Sequence, residues 1–241
     1  MKSRVSVAVL ALATAALTAC SADDNDSPSG PTNDNTTVRF FNATTSSLAL
    51  DIAENGTVAS GNGNIPFGSA STCTRVNDAN PQLSVRPAGS TTALTGFTPS
   101  FAAGNTYTVL VTGTQTAPVF TTLSDQFTTA GASSAGVRIV NATTSATAGS
   151  GMWDIYVNPT APLGTPNATV VRRNSASPFL TVPAAQANVI RLTNAGQTAR
   201  LQDITVPSLT PGMATTIVVT DAATAGGTTL EAFALPACST P

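Results

Sequence analysis

Few side chains in this 241-residue chain can do chemistry. Histidine is absent, and Lys2 is the only lysine. A serine or cysteine nucleophile therefore has no imidazole to take its proton. No lysine stands in the body of the chain for a Schiff base, and the G-x-S-x-G elbow does not occur. Zinc or copper would need His or clustered Cys, so neither metal nor cofactor is expected. Carboxylates, guanidiniums and thiols remain: beyond residue 35, eight acids face eight arginines. Two acids across a groove are the machinery of glycoside hydrolysis. A polysaccharide hydrolase working through paired carboxylates is therefore the alternative reading, although no two acids share a suggestive motif. The preferred reading is non-enzymatic.

Two of the charged residues recur. VRFFNATTS at residues 38–46 returns as VRIVNATTS at 137–145, with seven of nine residues identical and an offset of 99. That offset is the size of one small β-domain, so the chain reads as a duplication. Arg39 and Asp51 in the first copy have counterparts in Arg138 and Asp154. If Val38/Phe40 and Leu48/Leu50/Ile52 face the core, each Arg and Asp fall on the opposite face of neighbouring strands. They are then expected to form structural cross-strand pairs. Tyr107 and Tyr156 are candidates for exposed sugar-stacking rings, with Tyr156 predicted outward and Trp153 inward.

These residues need strands to hold them. Residues 37–41, 48–53, 71–76, 82–86, 92–97, 105–112 and 118–123 alternate as short strands, punctuated by Pro and Gly. Residues 188–193, 199–206, 214–220 and 228–235 repeat the later ones. No stretch beyond residue 35 carries a helical apolar period. The fold class expected is all-β: two tandem immunoglobulin-like or transthyretin-like antiparallel β-sandwich modules, at residues 36–127 and 135–241, joined by a hinge at 128–134. Charged residues are only 9% of the chain, against about 25% on average, yet the apolar fraction is 41%, so it should fold with a Thr-, Ser- and Asn-rich surface. The near-neutral folded part offers no basic surface for nucleic acid.

Residues 1–20 have a positive start (Lys2, Arg4) and an apolar run too short to span a bilayer. They end in Leu17-Thr18-Ala19-Cys20, which resembles the lipobox of bacterial lipoproteins. The resemblance implies a signal peptide cleaved before Cys20, a lipid on its sulfur, and a membrane as partner. Ser21 after the cysteine leans towards the outer membrane if the source is Gram-negative. Residues 21–35 are acidic and nearly free of apolar side chains, and should form a disordered tether. With Cys20 lipidated, Cys73 and Cys238 form an even pair in an oxidising compartment. They either make a disulfide between the modules or stay as two distant thiols, which is a question of geometry. Asn35, Asn42, Asn141 and Asn167 fit the N-x-T glycan acceptor, but in a bacterial lipoprotein they read as turn formers.

The openings VRFFNATTS…LALDIAENG and VRIVNATTS…WDIYVNP, with FAAGNTYTVLVTG at residues 101–113, resemble the bacterial envelope modules called domain of unknown function 4397. That family opens its repeats with V-R-V-x-H-A-S-x-D, follows with a D-V-Y-V strand, and later has A-G-x-x-Y-T-V. Asn42 and Asn141 stand at the family's His, and the second copy's PGMATTIVV lacks the Tyr. The resemblance implies an extracytoplasmic β-sandwich and no activity. A protein or glycan ligand, if there is one, is expected at loop tips such as residues 148–151 and 158–167.

Overall fold

The computed structural model describes residues 32–45, 48–128, 131–144, 150–221 and 229–238. The leader with Cys20, most of the expected tether and half of the 148–151 tip lie outside them. The strand β1 (Thr32–Asn42) begins five residues earlier than expected, so the end of the predicted tether is strand. Its backbone pairs there with β4 (Thr74–Asp78), Thr32 opposite Asp78, and a backbone ladder does not require apolar side chains. Among the described residues no helix is long and apolar enough to cross a membrane.

The other strands of the first half are β2 (Leu50–Glu54), β3 (Thr57–Val58), β5 (Leu83–Pro87), β6 (Thr95–Phe97), β7 (Thr106–Thr114) and β8 (Ala117–Ser124). One sheet has the order β4-β1-β7-β8 and the other β3-β2-β5-β6. Between them Val38, Phe40, Leu50, Ile52, Val85, Val109 and Val111 form an apolar core. Alternation explains this core: Val38 and Phe40 point one way from β1, and Leu50 and Ile52 point back from β2. Leu48, expected on the same inner row, lies before β2 and is exposed.

The second half repeats the plan with β9 (Ser134–Asn141), β10 (Met152–Val157), β11 (Ala168–Arg172), β12 (Ser175–Ala176), β13 (Leu180–Pro183), β14 (Asn188–Asn194), β15 (Arg200–Val206), β16 (Ala214–Asp221) and β17 (Leu230–Pro236). The order β12-β9-β16-β17, with β13 also on β9, faces the order β11-β10-β14-β15. Trp153, Ile139, Ile155, Ile190, Leu192 and Ile217 fill the space between. Trp153 is fully buried. Each sandwich contains one parallel ladder, β1 with β7 and β9 with β16, and the remaining ladders are antiparallel.

A third apolar cluster joins the halves. Phe41, Ala43 and Leu110 from the outer face of the β1 sheet meet Val140, Ala142, Val218 and Leu235 from the outer face of the β9 sheet. Four sheets are thus layered, with the β1 and β9 sheets back to back. Phe233 packs on Phe41 and edge-on to Phe67, both at a centroid distance of 5.8 Å. Cys73, before β4, is disulfide-bonded to Cys238, after β17. The expected hinge therefore connects bodies that share a buried face. The reason lies in β1 and β9 themselves, which carry bulky apolar groups on both sides, so the side turned away from each core must also be covered.

Candidate functional site

The duplicated polar residues were the place to look for a site, and each has a structural task. Asn42 ends β1 and is buried. Its carbonyl oxygen accepts from the backbone N–H of Thr44 (3.1 Å) and the Thr44 hydroxyl (2.7 Å), and its amide donates to the carbonyl of Ile65 (3.0 Å). Asn141 does the same with Thr143 at 3.3 and 2.6 Å and donates to the carbonyls of Gly151 and Val171, both at 3.2 Å. This bracket turns the chain through a corner. The chain then enters the opposite sheet instead of returning as a hairpin, a structural use of the side-chain bonding typical of Asn.

That corner separates the expected pairs. Arg39 lies in the β1 sheet and Asp51 in the facing sheet, so they are not cross-strand neighbours, and Arg138 and Asp154 are separated likewise. Each Asp instead clasps backbone. Asp51 accepts from the N–H of Asn64 (2.7 Å) on one oxygen and of Gly89 (2.8 Å) on the other. Asp154 accepts from Val170 (3.0 Å) and Gly196 (2.8 Å). Asn64 and Val170 have φ of 52° and 53°, and Gly89 and Gly196 have 77° and 76°. The clasp thus fixes two left-handed residues per sandwich. Only a carboxylate suits it, since both its oxygens accept, whereas an amide would turn a donor towards one N–H.

Each Arg points into the shared face, and both converge on Asp125, just after β8. Arg138 hydrogen-bonds to one Asp125 oxygen, donates to the Ser124 carbonyl (2.6 Å) and the Thr216 hydroxyl (2.9 Å), and lies 4.6 Å over the Phe179 ring. Arg39 reaches the other Asp125 oxygen at 3.5 Å and the Thr108 hydroxyl at 2.8 Å, and that hydroxyl donates to Asp125 at 2.6 Å. All three side chains are only 5–6% exposed. Burial pulls both guanidinium pKa values below the ordinary arginine value, and the Asp125 charge opposes that shift. Sequence reasoning missed Asp125 because it has no counterpart in the repeat.

Other acids are similarly committed. Asp203 takes a two-pronged hydrogen bond from Arg191 (2.7 and 2.8 Å), and Asp221 accepts from the N–H (2.6 Å) and hydroxyl (3.0 Å) of Thr144. Among the described residues no three of His, Cys, Asp and Glu gather where a metal could sit. The two candidate sugar-stacking rings are not platforms. Tyr107 lies in the first core, its hydroxyl accepting from the N–H of Ala102 at 2.9 Å, and Tyr156 is also buried. Alternation set Tyr156 opposite Trp153 and Ile155 but could not show that the residue is buried there. The 158–167 tip is mostly exposed and is pinned at its ends by Asn158, which holds Val189 (2.8 Å), and Asn167, which holds Val157 (2.8 Å).

Residues 36–148 match the family model for a domain of unknown function, DUF4397. The DUF4397 match runs through the first sandwich and over β9 to the second corner, so both VRxxNATTS openings fall inside it. No curated protein matches the sequence. Among solved structures, the chain is similar to one described as "Alpha-glucan binding by a streptococcal virulence factor", at 8% identity and TM-score 0.28, covering 83% of this chain and 96% of that one. A second is the family CBM26 module of Eubacterium rectale Amy13K in complex with maltoheptaose, at 14% identity and TM-score 0.27, covering 85% of this chain and 97% of that one.

Proposed function

We propose that the chain is a non-catalytic, lipid-anchored cell-envelope protein in which two sandwiches, locked back to back, present loop tips for binding or act as a spacer. One observation carries the non-catalytic part: the carboxylates that recur are spent on holding left-handed backbone. A further acid, Asp125, is shared between two buried arginines. A glycosidic acid must be free to give and take a proton, and a carboxylate that anchors two backbone amides loses its fold when it does so.

The anchoring half rests on the lipobox-like Leu17-Thr18-Ala19-Cys20 and the acidic segment that follows it. The outer membrane is its proposed address in a Gram-negative cell. The decisive experiment expresses the full chain and its Cys20→Ser variant in a bacterial host. A lipid-sized mass increment on Cys20 and membrane fractionation lost in the variant are expected; equal membrane association of both would refute the anchor. Release of reducing ends from envelope polysaccharide by the purified chain would refute the non-catalytic reading. Loop-tip binding is tested on a glycan array and by capture of envelope proteins, each repeated after exchanging residues 158–167 for a Gly-Ser loop.

A further inference from the structure

The duplication supplies an internal control wherever the two sets of ladders align, and in one place the copies differ in a way that opens a site. The ladders align Phe97 of β6, opposite Leu83, with Ile204 of β15, opposite Ile190. They likewise align Phe120 of β8, opposite Val111, with Ala232 of β17, opposite Val219. In the first sandwich Phe97 and Phe120 stack at a centroid distance of 3.9 Å, plugging the mouth between the two edge strands. In the second sandwich the plug is missing. A slot of about 110 Å³ remains there, lined by Ile204, Val206, Leu209, Ile217, Ala232 and Ala234. Ala232 and Ala234 face inward in register yet are exposed, as expected of a wall with nothing against it.

We infer that this slot is a binding site for a single uncharged aromatic ring. No charged residue lines it, and the hydroxyl of Thr215 at its edge is already donated to the Leu235 carbonyl at 3.1 Å. Its volume is comparable to the apolar cavity of about 150 Å³ that takes up benzene. The shape-matched position in the other copy holds phenyl rings. The chain has no ring of its own to insert: none of its nine Phe, two Tyr and one Trp lies in residues 1–31 or 222–228, and none lines the slot. A free monocyclic aromatic molecule is therefore the occupant the site fits.

The test uses the full chain with ¹³C-labelled methyl groups and toluene as the probe. Saturable shifts confined to the methyls of Ile204, Val206, Leu209 and Ile217 are expected. Ala232→Phe, which copies the first sandwich's plug, should abolish them or weaken toluene binding at least about tenfold, roughly 1.4 kcal/mol. If that variant does not fold, Ala234→Leu narrows the same slot and should weaken binding in the same direction. Phe120→Ala should create a second toluene site, reported by the methyls of Val109 and Val111. Shifts that are absent, never saturate or persist in the folded slot variants would overturn the inference. So would concentration-dependent self-association suppressed by Ala232→Phe without any saturable toluene shift, because the slot would then be a contact between copies.

Discussion

Replacing Asp125 with Asn removes one negative charge from between two buried guanidiniums and leaves the side-chain shape nearly unchanged. Arg39 and Arg138 then repel each other across the shared face without that counter-charge, and the Thr108 hydroxyl loses its anionic acceptor. Removing one partner of a buried ion pair costs about 3–5 kcal/mol, because a desolvated charge stays behind uncompensated. Exposed pairs give about 0.2–1 kcal/mol. Exposure of 5–6% at all three side chains puts this cluster in the first class. Urea unfolding followed by Trp153 fluorescence should therefore show a midpoint drop equivalent to about 3–5 kcal/mol at an unchanged slope. The triple variant Arg39→Met, Asp125→Leu, Arg138→Met should recover more than half of that loss, since an apolar replacement of the whole cluster removes the desolvation cost along with the attraction. A loss below about 1 kcal/mol in Asp125→Asn would refute the claim that this carboxylate locks the two halves.

Asp154→Ala removes both acceptors of the second clasp and should cost about 2–3 kcal/mol in urea unfolding, more than Asp203→Ala, whose partners reach water. Val170 is 44% exposed with φ 53°, a backbone that costs a β-branched residue about 1–2 kcal/mol. Val170→Asn, which copies Asn64 of the first sandwich, should therefore raise the melting temperature by about 2–4 °C; a lower value would count against the strain. The Arg191 hydrogen bonds hold the Asp203 carboxyl below its ordinary pKa. Its contribution to stability is thus complete above an unfolded pKa of about 3.9 and is lost as pH falls through the lower folded value. Asp203→Asn should reduce the steepness of acid unfolding in that window and leave the neutral-pH slope unaltered.

The all-β class, most strand positions and the duplication were legible because alternation and Pro/Gly punctuation are local signals. The pairing of Arg39 was not. Two short strands joined by a turn usually lie side by side, but the Asn42 bracket carries β2 into the facing sheet, and nothing in NATTS distinguishes that corner from a hairpin. The shared face was not read from the sequence, although Phe41 and Val140 sit out of phase with their core neighbours, and an apolar residue on the wrong face marks a second buried surface. The strands β11 to β13 escaped notice because their alternation is broken by Val170 and by Pro178. The slot in the second sandwich could not be read without registers, since the Phe97/Phe120 and Ile204/Ala232 equivalence exists only once the ladders are aligned.

The place of β1 has a mechanical consequence. It is flanked by antiparallel β4 and parallel β7, and its first residue lies at the end nearest the leader. A pull transmitted from that end runs along the strand, so each ladder is loaded in shear instead of unzipping one rung at a time. A load applied at Thr32 meets the β4 ladder first and passes to the β7 ladder from Thr37 onward.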